Sequence, residues 1–358
     1  MHFAVFHNGI FIAIIAHGLI GISLVWDKIL LRRPETTNLV SFVFWLGFIS
    51  VFGLLLIPFG FHWPSLSTAV VAFAAGVLHL AANYFYYAAL KAGEASQTLA
   101  IMGGFSPVAT ALIAIALLKH PLGQGSLAGF MLLVLGGFVM FFSEKLNVRR
   151  VLPMVLLASG SFGLVNVMQK LAFDQTNFVS GYVFFTFGTF FGSLLLLVRG
   201  SWRKQIFENS ENAEPRSRFW YFANRFISGV GSFLIFYAIS LTAPAIVDAI
   251  TGLRYVIIFI GAYGITKMRP SWLRENFTGF ALLGKTAATL LVVAGLVLLG
   301  LKNGDQNGIG STSMLLPRNE FDHHCSSATP SATRIAAAQR RSLTSSLSTY
   351  LARSVSSR

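Results

Sequence analysis

Apolar runs of about 20 residues, separated by short polar turns, fill residues 1–302 of this 358-residue chain. A run of that length, at about 1.5 Å of rise per residue, covers the hydrocarbon of a bilayer and is a transmembrane helix by default. Hydropathy windows place ten spans at about 5–26, 38–60, 68–90, 95–118, 125–143, 151–172, 178–198, 219–240, 243–266 and 277–301. The expected fold class is therefore all-α and polytopic, with ten transmembrane helices. The segments between the spans are short hydrophilic turns, the longest at 199–218.

Composition excludes the soluble alternatives. With 54% hydrophobic and 11% charged residues, too little polar side chain is present to cover a soluble globule. The net charge of +14 would suggest nucleic acid in a soluble protein. Here the basic residues sit between apolar windows, where Lys and Arg orient helices and meet anionic headgroups, so membrane lipids are the expected partner and nucleic acid is not. The single cysteine, Cys325, lies in the polar tail and permits no internal disulfide. The first window has no basic run before it and no small-residue cleavage pattern after it, so it reads as a retained helix.

The chain also repeats itself. Tyr237-Ala238 repeats Tyr87-Ala88, the GFxLL beginning at Gly279 repeats that at Gly129, Phe42-Val43-Phe44-Trp45 matches Tyr182-Val183-Phe184-Phe185 in type, and the leucines at 54–56 match those at 194–196. Five spans per copy is an odd number, so the copies enter the membrane from opposite sides, the inverted-repeat arrangement of secondary carriers. The expected organisation is a first five-helix copy at 1–147, a second at 148–302, and a polar, basic, disordered tail at 303–358. The odd-numbered turns hold nearly all the Lys and Arg of the membrane domain, whereas the even-numbered turns hold Lys119 and, at a helix end, Lys170. That bias puts the odd turns in the cytoplasm and both ends of a ten-helix chain outside.

The first copy, YYAALKAGEASQTLAIMGGFSPVATALIAIALL followed by GSLAGFMLLVLGGFVM, and the second, FYAISLTAPAIVDAITGLRYVIIFIGAYGI followed by FTGFALL, resemble the EamA-like members of the drug/metabolite transporter superfamily. The resemblance covers about residues 5–301. It implies a ten-helix, two-repeat carrier of small polar metabolites, amino acids or drugs in a cell's inner or plasma membrane, that of a bacterium being the expected one. Members often carry a Glu after the fourth helix of each repeat; His120 and Pro270 occupy those places here, so that role is not carried over. Many relatives also keep both termini in the cytoplasm, opposite to the charge count.

Ionisable groups inside a span are costly and mark function first: His17, His79, Arg225, Asp248, Arg254 and Lys285. Arg254 lies near the middle of the ninth span, where a guanidinium faces a partner, a cavity or a ligand anion; it can grip a carboxylate through two parallel hydrogen bonds. Asp248 could bind a substrate amine, carry a coupling proton, or pair with Arg225 or Lys285, and its placement six residues from Arg254 argues against direct pairing within the helix. His79, Asn83 and Tyr87 share one helix face, a polar stripe able to line a cavity or relay protons. His17, Asn166 and Gln169 are weaker instances. Substrate binding is assigned to Arg254, Asp248, His79, Asn83 and Tyr87, and ion or proton coupling to Asp248, His79 and Lys285. Helix bending is assigned to Gly103, Gly104 and Pro107 in the fourth span and Gly252 in the ninth.

No metal site, cofactor or enzyme activity is expected. The string at 279–286 fits the GxxxxGK[ST] pattern but opens an apolar span without the strand a phosphate loop needs. Asp322-His323-His324-Cys325 resembles the S-acyltransferase motif without its cysteine-rich domain. Three readings stay open: a secondary carrier of small anionic or zwitterionic compounds or drugs, coupled to protons or sodium; a carrier or flippase for lipid-linked substrates through a cavity open sideways; and a non-transporting scaffold. Oligomeric state has no signature in the sequence.

Overall fold

Two helices in different halves of the chain begin in the same way. Asn38 and Asn177 are extended N-cap residues whose side chains accept from the backbone N–H three residues on, at Ser41 (3.1 Å) and Ser180 (2.8 Å). The computed structural model describes residues 8–30, 38–92, 95–119, 124–143, 148–212, 215–268, 283–284 and 286–299. Every regular element among them is helical. In chain order these are α1 (Gly9–Leu30), α2 (Leu39–Ile49, continued by a 3-10 stretch, Ser50–Phe59), α3 (Leu66–Ala92), α4 (Ala95–Leu118), α5 (Gln124–Ser143) and α6 (Val148–Gln175). Then come α7 (Phe178–Leu196), α8 (Gly200–Asn212), α9 (Pro215–Leu241), α10 (Pro244–Ala249), α11 (Gly252–Met268) and α12 (Thr286–Leu299).

Seven of the described helices are long and apolar enough to cross a membrane: α1, α2 with its 3-10 stretch, α3, α4, α6, α7 and α9. The other three expected windows fall on α5, whose apolar part is Leu127–Val139, on the broken pair α10–α11, and on 277–301, of which Thr286–Leu299 is the described helix. The chain is thus an all-helical, multi-pass membrane protein over these residues. Lys285, His120, Pro270 and the tail lie outside the described residues.

Three expectations need correction. The hydrophilic turn expected at 199–218 contains α8, an amphipathic helix whose Ile206 is fully buried with Val40 and Phe44 of α2 and whose Arg203, Lys204 and Glu208 are exposed. It folds because one apolar stripe docks on α2 while the charged face stays solvated. The first span does not stop at Trp26: α1 continues to Leu30 and buries Asp27 and Lys28. The fourth span is not interrupted, since α4 runs unbroken through Gly103, Gly104 and Pro107. Gly104, together with Gly137 of α5, serves a close crossing of the two helices.

The ninth span does break, two residues before Gly252. Around Ile250 and Thr251 the ladder tightens to three-residue steps, Thr251 N–H to Asp248 C=O (3.0 Å), Leu253 to Ile250 (2.9 Å) and Arg254 to Thr251 (2.9 Å). Such a tight turn inside a span frees carbonyls for other partners. Gly252 then lets α11 start against Val292 of α12, where a β-carbon would sit 2.9 Å from a valine methyl.

Long helices cross in a regular scheme. α1 packs on α9 and α11, α6 packs on α3 and α4, α3 also lies along α7, and α4 along α5. Two apolar cores hold these crossings, one around Leu90, Leu99, Ile101 and Val155, the other around Ile239, Ile250, Leu133 and Val165.

Candidate functional site

Between these helices lies a cavity of about 790 Å³. Its wall is mostly apolar and aromatic, and its charged side chains belong to two clusters. A cavity of this size, largely apolar with a few converging polar groups, has the character of a small-molecule site.

The first cluster forms at the break in the ninth span. Val247 C=O, which an unbroken helix would give to the Thr251 N–H, instead accepts from Nε2 of His17 on α1 (2.9 Å). Arg254 Nε donates to His17 Nδ1 (2.8 Å). Nδ1 is therefore the acceptor of the ring and Nε2 carries the proton, so His17 sits as the neutral tautomer between an arginine and a carbonyl. Asp248 Oδ2 accepts from two hydroxyls of α4, Ser106 (2.7 Å) and Thr110 (2.5 Å), and lies within electrostatic reach of Arg254. Both charge signs are thus presented to one end of the cavity, each held by hydrogen bonds rather than by direct contact with the other.

The second cluster is a buried ion pair between α1 and α9, Asp27 with Arg225. Tyr87 of α3 donates to Asp27 Oδ2 (2.9 Å) and accepts from Arg225 Nη1 (2.8 Å), while Asn224 donates to Asp27 Oδ1 (2.7 Å). The guanidinium lies over the rings of Phe42, Tyr221 and Tyr87 at 5.1, 5.4 and 5.7 Å. Four helices meet there, and the Tyr221 hydroxyl fastens α9 to α2 by donating to Phe42 C=O (2.7 Å).

Arg254, Asp248, His79, Asn83 and Tyr87, drawn from α3, α10 and α11, all line this one cavity, as do His17, Asn166 and Arg225. Their local chemistry differs from a relay along α3. Asn83 Nδ2 is spent on the His79 carbonyl of its own helix (2.8 Å). The His79 ring is enclosed by Phe185, Phe162 and Phe236 at 5.1, 5.6 and 5.9 Å, and its Nδ1 is buried with no hydrogen-bond partner among the described residues. A buried polar atom left so costs about 1–3 kcal/mol, which a bound polar group would offset. Asp248 does not pair with Arg225, which is engaged by Asp27; Lys285, the other expected partner, lies outside the described residues.

The sequence reading missed Asp27, Asn224, Ser106 and Thr110. Asp27 follows the apolar window that ends at Trp26, so hydropathy leaves it outside the span. Ser106 and Thr110 did carry a signal: they are four apart, on one face of an otherwise apolar helix. Among the described residues no group of three or more His, Cys, Asp or Glu stands ready to hold a metal.

Comparison with known proteins agrees with this architecture. Residues 7–142 match the model of the EamA-like transporter family, part of the drug/metabolite transporter superfamily. A solved crystal structure is similar over 83% of this chain and 97% of that one, with a TM-score of 0.53 and 13% sequence identity, a likeness that concerns the fold alone. No curated protein matches.

Proposed function

We propose, from the premise that this multi-pass membrane protein carries an EamA-like transporter domain at residues 7–142, that it is a secondary carrier of small anionic or zwitterionic compounds working by alternating access. The observation that supports this reading is the convergence of Arg254, Asp248, His79, Asn83 and Tyr87 on one cavity. In it Arg254 holds a substrate carboxylate or phosphate, Asp248 holds an ammonium or the coupling proton, and His79, Asn83 and Tyr87 complete the wall from the opposite half. The membrane is the inner or plasma membrane.

The same reading takes the membrane domain as two inverted five-helix copies, 1–147 and 148–302, in which α1–α5 correspond to α6, α7, α9, α10–α11 and α12. Three features support that correspondence. The matched asparagine caps of α2 and α7 begin each second helix. Lys28 Nζ donates to Leu90 C=O (2.5 Å) and Lys170 Nζ to Ser240 C=O (3.3 Å); Leu90 and Ser240 each lie three residues after the repeated Tyr-Ala start. Each lysine thus caps the carbonyl end of the third helix in its own copy. The crossings also exchange correctly, α1 on α9 and α11 becoming α6 on α3 and α4.

Counterflow by the purified protein in liposomes tests the reading, using pools of amino acids, nucleosides, organic anions and cationic drugs, with and without imposed proton or sodium gradients. Arg254→Ala should weaken transport of anionic or zwitterionic compounds ten- to hundredfold, the loss of one charge-assisted hydrogen bond being worth about 1.5–3 kcal/mol. Transport indifferent to Arg254→Ala would reduce that residue to a structural role, and no transport from any pool would remove the reading as a carrier of water-soluble compounds and leave lipid substrates or a scaffold.

A further inference from the structure

The cavity is sealed on one side and open on the other, and the two sides are related by the repeat. α3 and α7 lie against each other along their length. At Gly76 and Gly188 backbone meets backbone: a β-carbon on either would collide with the carbonyl oxygen of Phe185 or Phe73. The matching pair under exchange of the copies is α9 and α2. These two touch only near their beginnings, through Tyr221 to Phe42 C=O and the rings of Trp45 and Phe222, 6.0 Å apart. Beyond that they do not lie along each other. The second part of α2 leans on α7 instead, Ser50 Oγ donating to Thr186 C=O (3.0 Å) and the 3-10 stretch lying against α7.

Residue size accounts for the difference. Gly76 lies eleven residues before Tyr87, and Phe226 lies eleven before Tyr237; Gly188 lies eleven after Asn177, and Ile49 lies eleven after Asn38. Where one side has two glycines the other has Phe226 and Ile49, and both line the cavity. Side chains of that size hold two backbones apart, so α2 and α9 cannot close as α3 and α7 do. The rim of the gap is apolar and faces outward in the span: Phe226 is 74% exposed, Leu55 68% and Phe52 65%. Behind the rim stand Arg254 and Asp248, of opposite charge, and the buried Asn166.

We propose that the gap between α2 and α9 is a lateral portal to the bilayer, and that the cavity takes through it a single-chain zwitterionic amphiphile. The headgroup lies between Arg254 and Asp248, its anionic and cationic parts matched to the two charges. The apolar chain lies in the portal between 49–56 and 226–233, where leaving hydrocarbon costs nothing because the rim is itself apolar. This rests on the transport reading of the same cavity and narrows its substrate class.

The test uses the full chain in liposomes and a single-chain acyl phosphocholine carrying a photoactivatable diazirine in mid-chain, with cross-linked peptides identified by mass spectrometry. Labelling is expected in 49–56 and 226–233 and should fall about tenfold when unlabelled amphiphile is near saturation, with glycerophosphocholine, the headgroup without the chain, far weaker as competitor. In parallel, Ser232→Cys, at the cavity wall in a Cys325→Ser background, reports occupancy as protection from maleimide. Val230→Trp, which fills the rim, should abolish protection by the amphiphile while leaving protection by a small water-soluble zwitterion. Labelling spread evenly over outward helix faces and not competed by amphiphile would overturn the portal. Protection by the soluble zwitterion but not by the amphiphile would overturn the portal and keep the carrier reading. Protection by neither would remove both.

Discussion

Asp27 and Arg225 lie in a setting where removing one partner is far worse than removing both. Asp27 is fully buried and Arg225 nearly so, and the three rings around the guanidinium replace its water without neutralising it. Asp27→Ala should therefore destabilise the protein by about 3–5 kcal/mol, because an uncompensated charge stays buried. The double variant Asp27→Leu with Arg225→Met should recover most of that loss; thermal unfolding in detergent compares the two. Equal losses in the single and double variants would mean that the pair contributes more than mutual compensation. His17 is a quieter case of the same logic. It is read in the sequence as a weak candidate, yet its two ring nitrogens join Arg254 to the carbonyl released by the break. His17→Phe keeps the volume and removes both hydrogen bonds, so it should lower transport by compounds that depend on Arg254 while leaving expression and fold intact by gel filtration.

At the scale of elements, close crossings and one docked helix define what holds. Gly76→Ala is a small change elsewhere in an apolar helix, but here the new methyl meets the backbone of α7. It should cost about 1–3 kcal/mol as overpacking, seen as a lower unfolding temperature, whereas Gly160→Ala, whose β-carbon meets nothing within 4 Å, should be neutral or slightly stabilising. α8 depends on a single stripe. Ile206→Asp should detach it from α2 and open the segment Gly200–Asn212 to protease, with the membrane helices left in place. Cleavage there at the same rate as in the unaltered protein would show that other contacts fix α8.

For the whole molecule, the proposed repeat supplies a prediction about motion. If the copies exchange conformations during transport, α3 and α7 must separate on the side where they are now in backbone contact. Spin labels on α3 and α7 should move apart on addition of a transported compound. Labels on α2 and α9 should approach by less, because Phe226 and Ile49 hold that side open. Equal and opposite changes at the two pairs would contradict the permanent portal. No change at either pair would contradict alternating access itself.

The sequence by itself determined the class of solvent and the element type, since runs of about 20 apolar residues admit little else than helices in a bilayer. It also nominated the charged and histidine residues of the cavity, His17, His79, Arg225, Asp248 and Arg254, because an ionisable side chain in such a run is too costly to be incidental. Helix ends and polar partners were less legible. Asp27 sits one residue past an apolar window, and only the neighbouring Arg225, distant in sequence, makes its burial tenable. Ser106 and Thr110 become partners of Asp248 only when α4 crosses α10. The open side of the cavity was decided by tertiary structure alone. A glycine and a phenylalanine at positions that the proposed repeat matches are both ordinary in an apolar helix, and their difference acts only when two backbones approach each other.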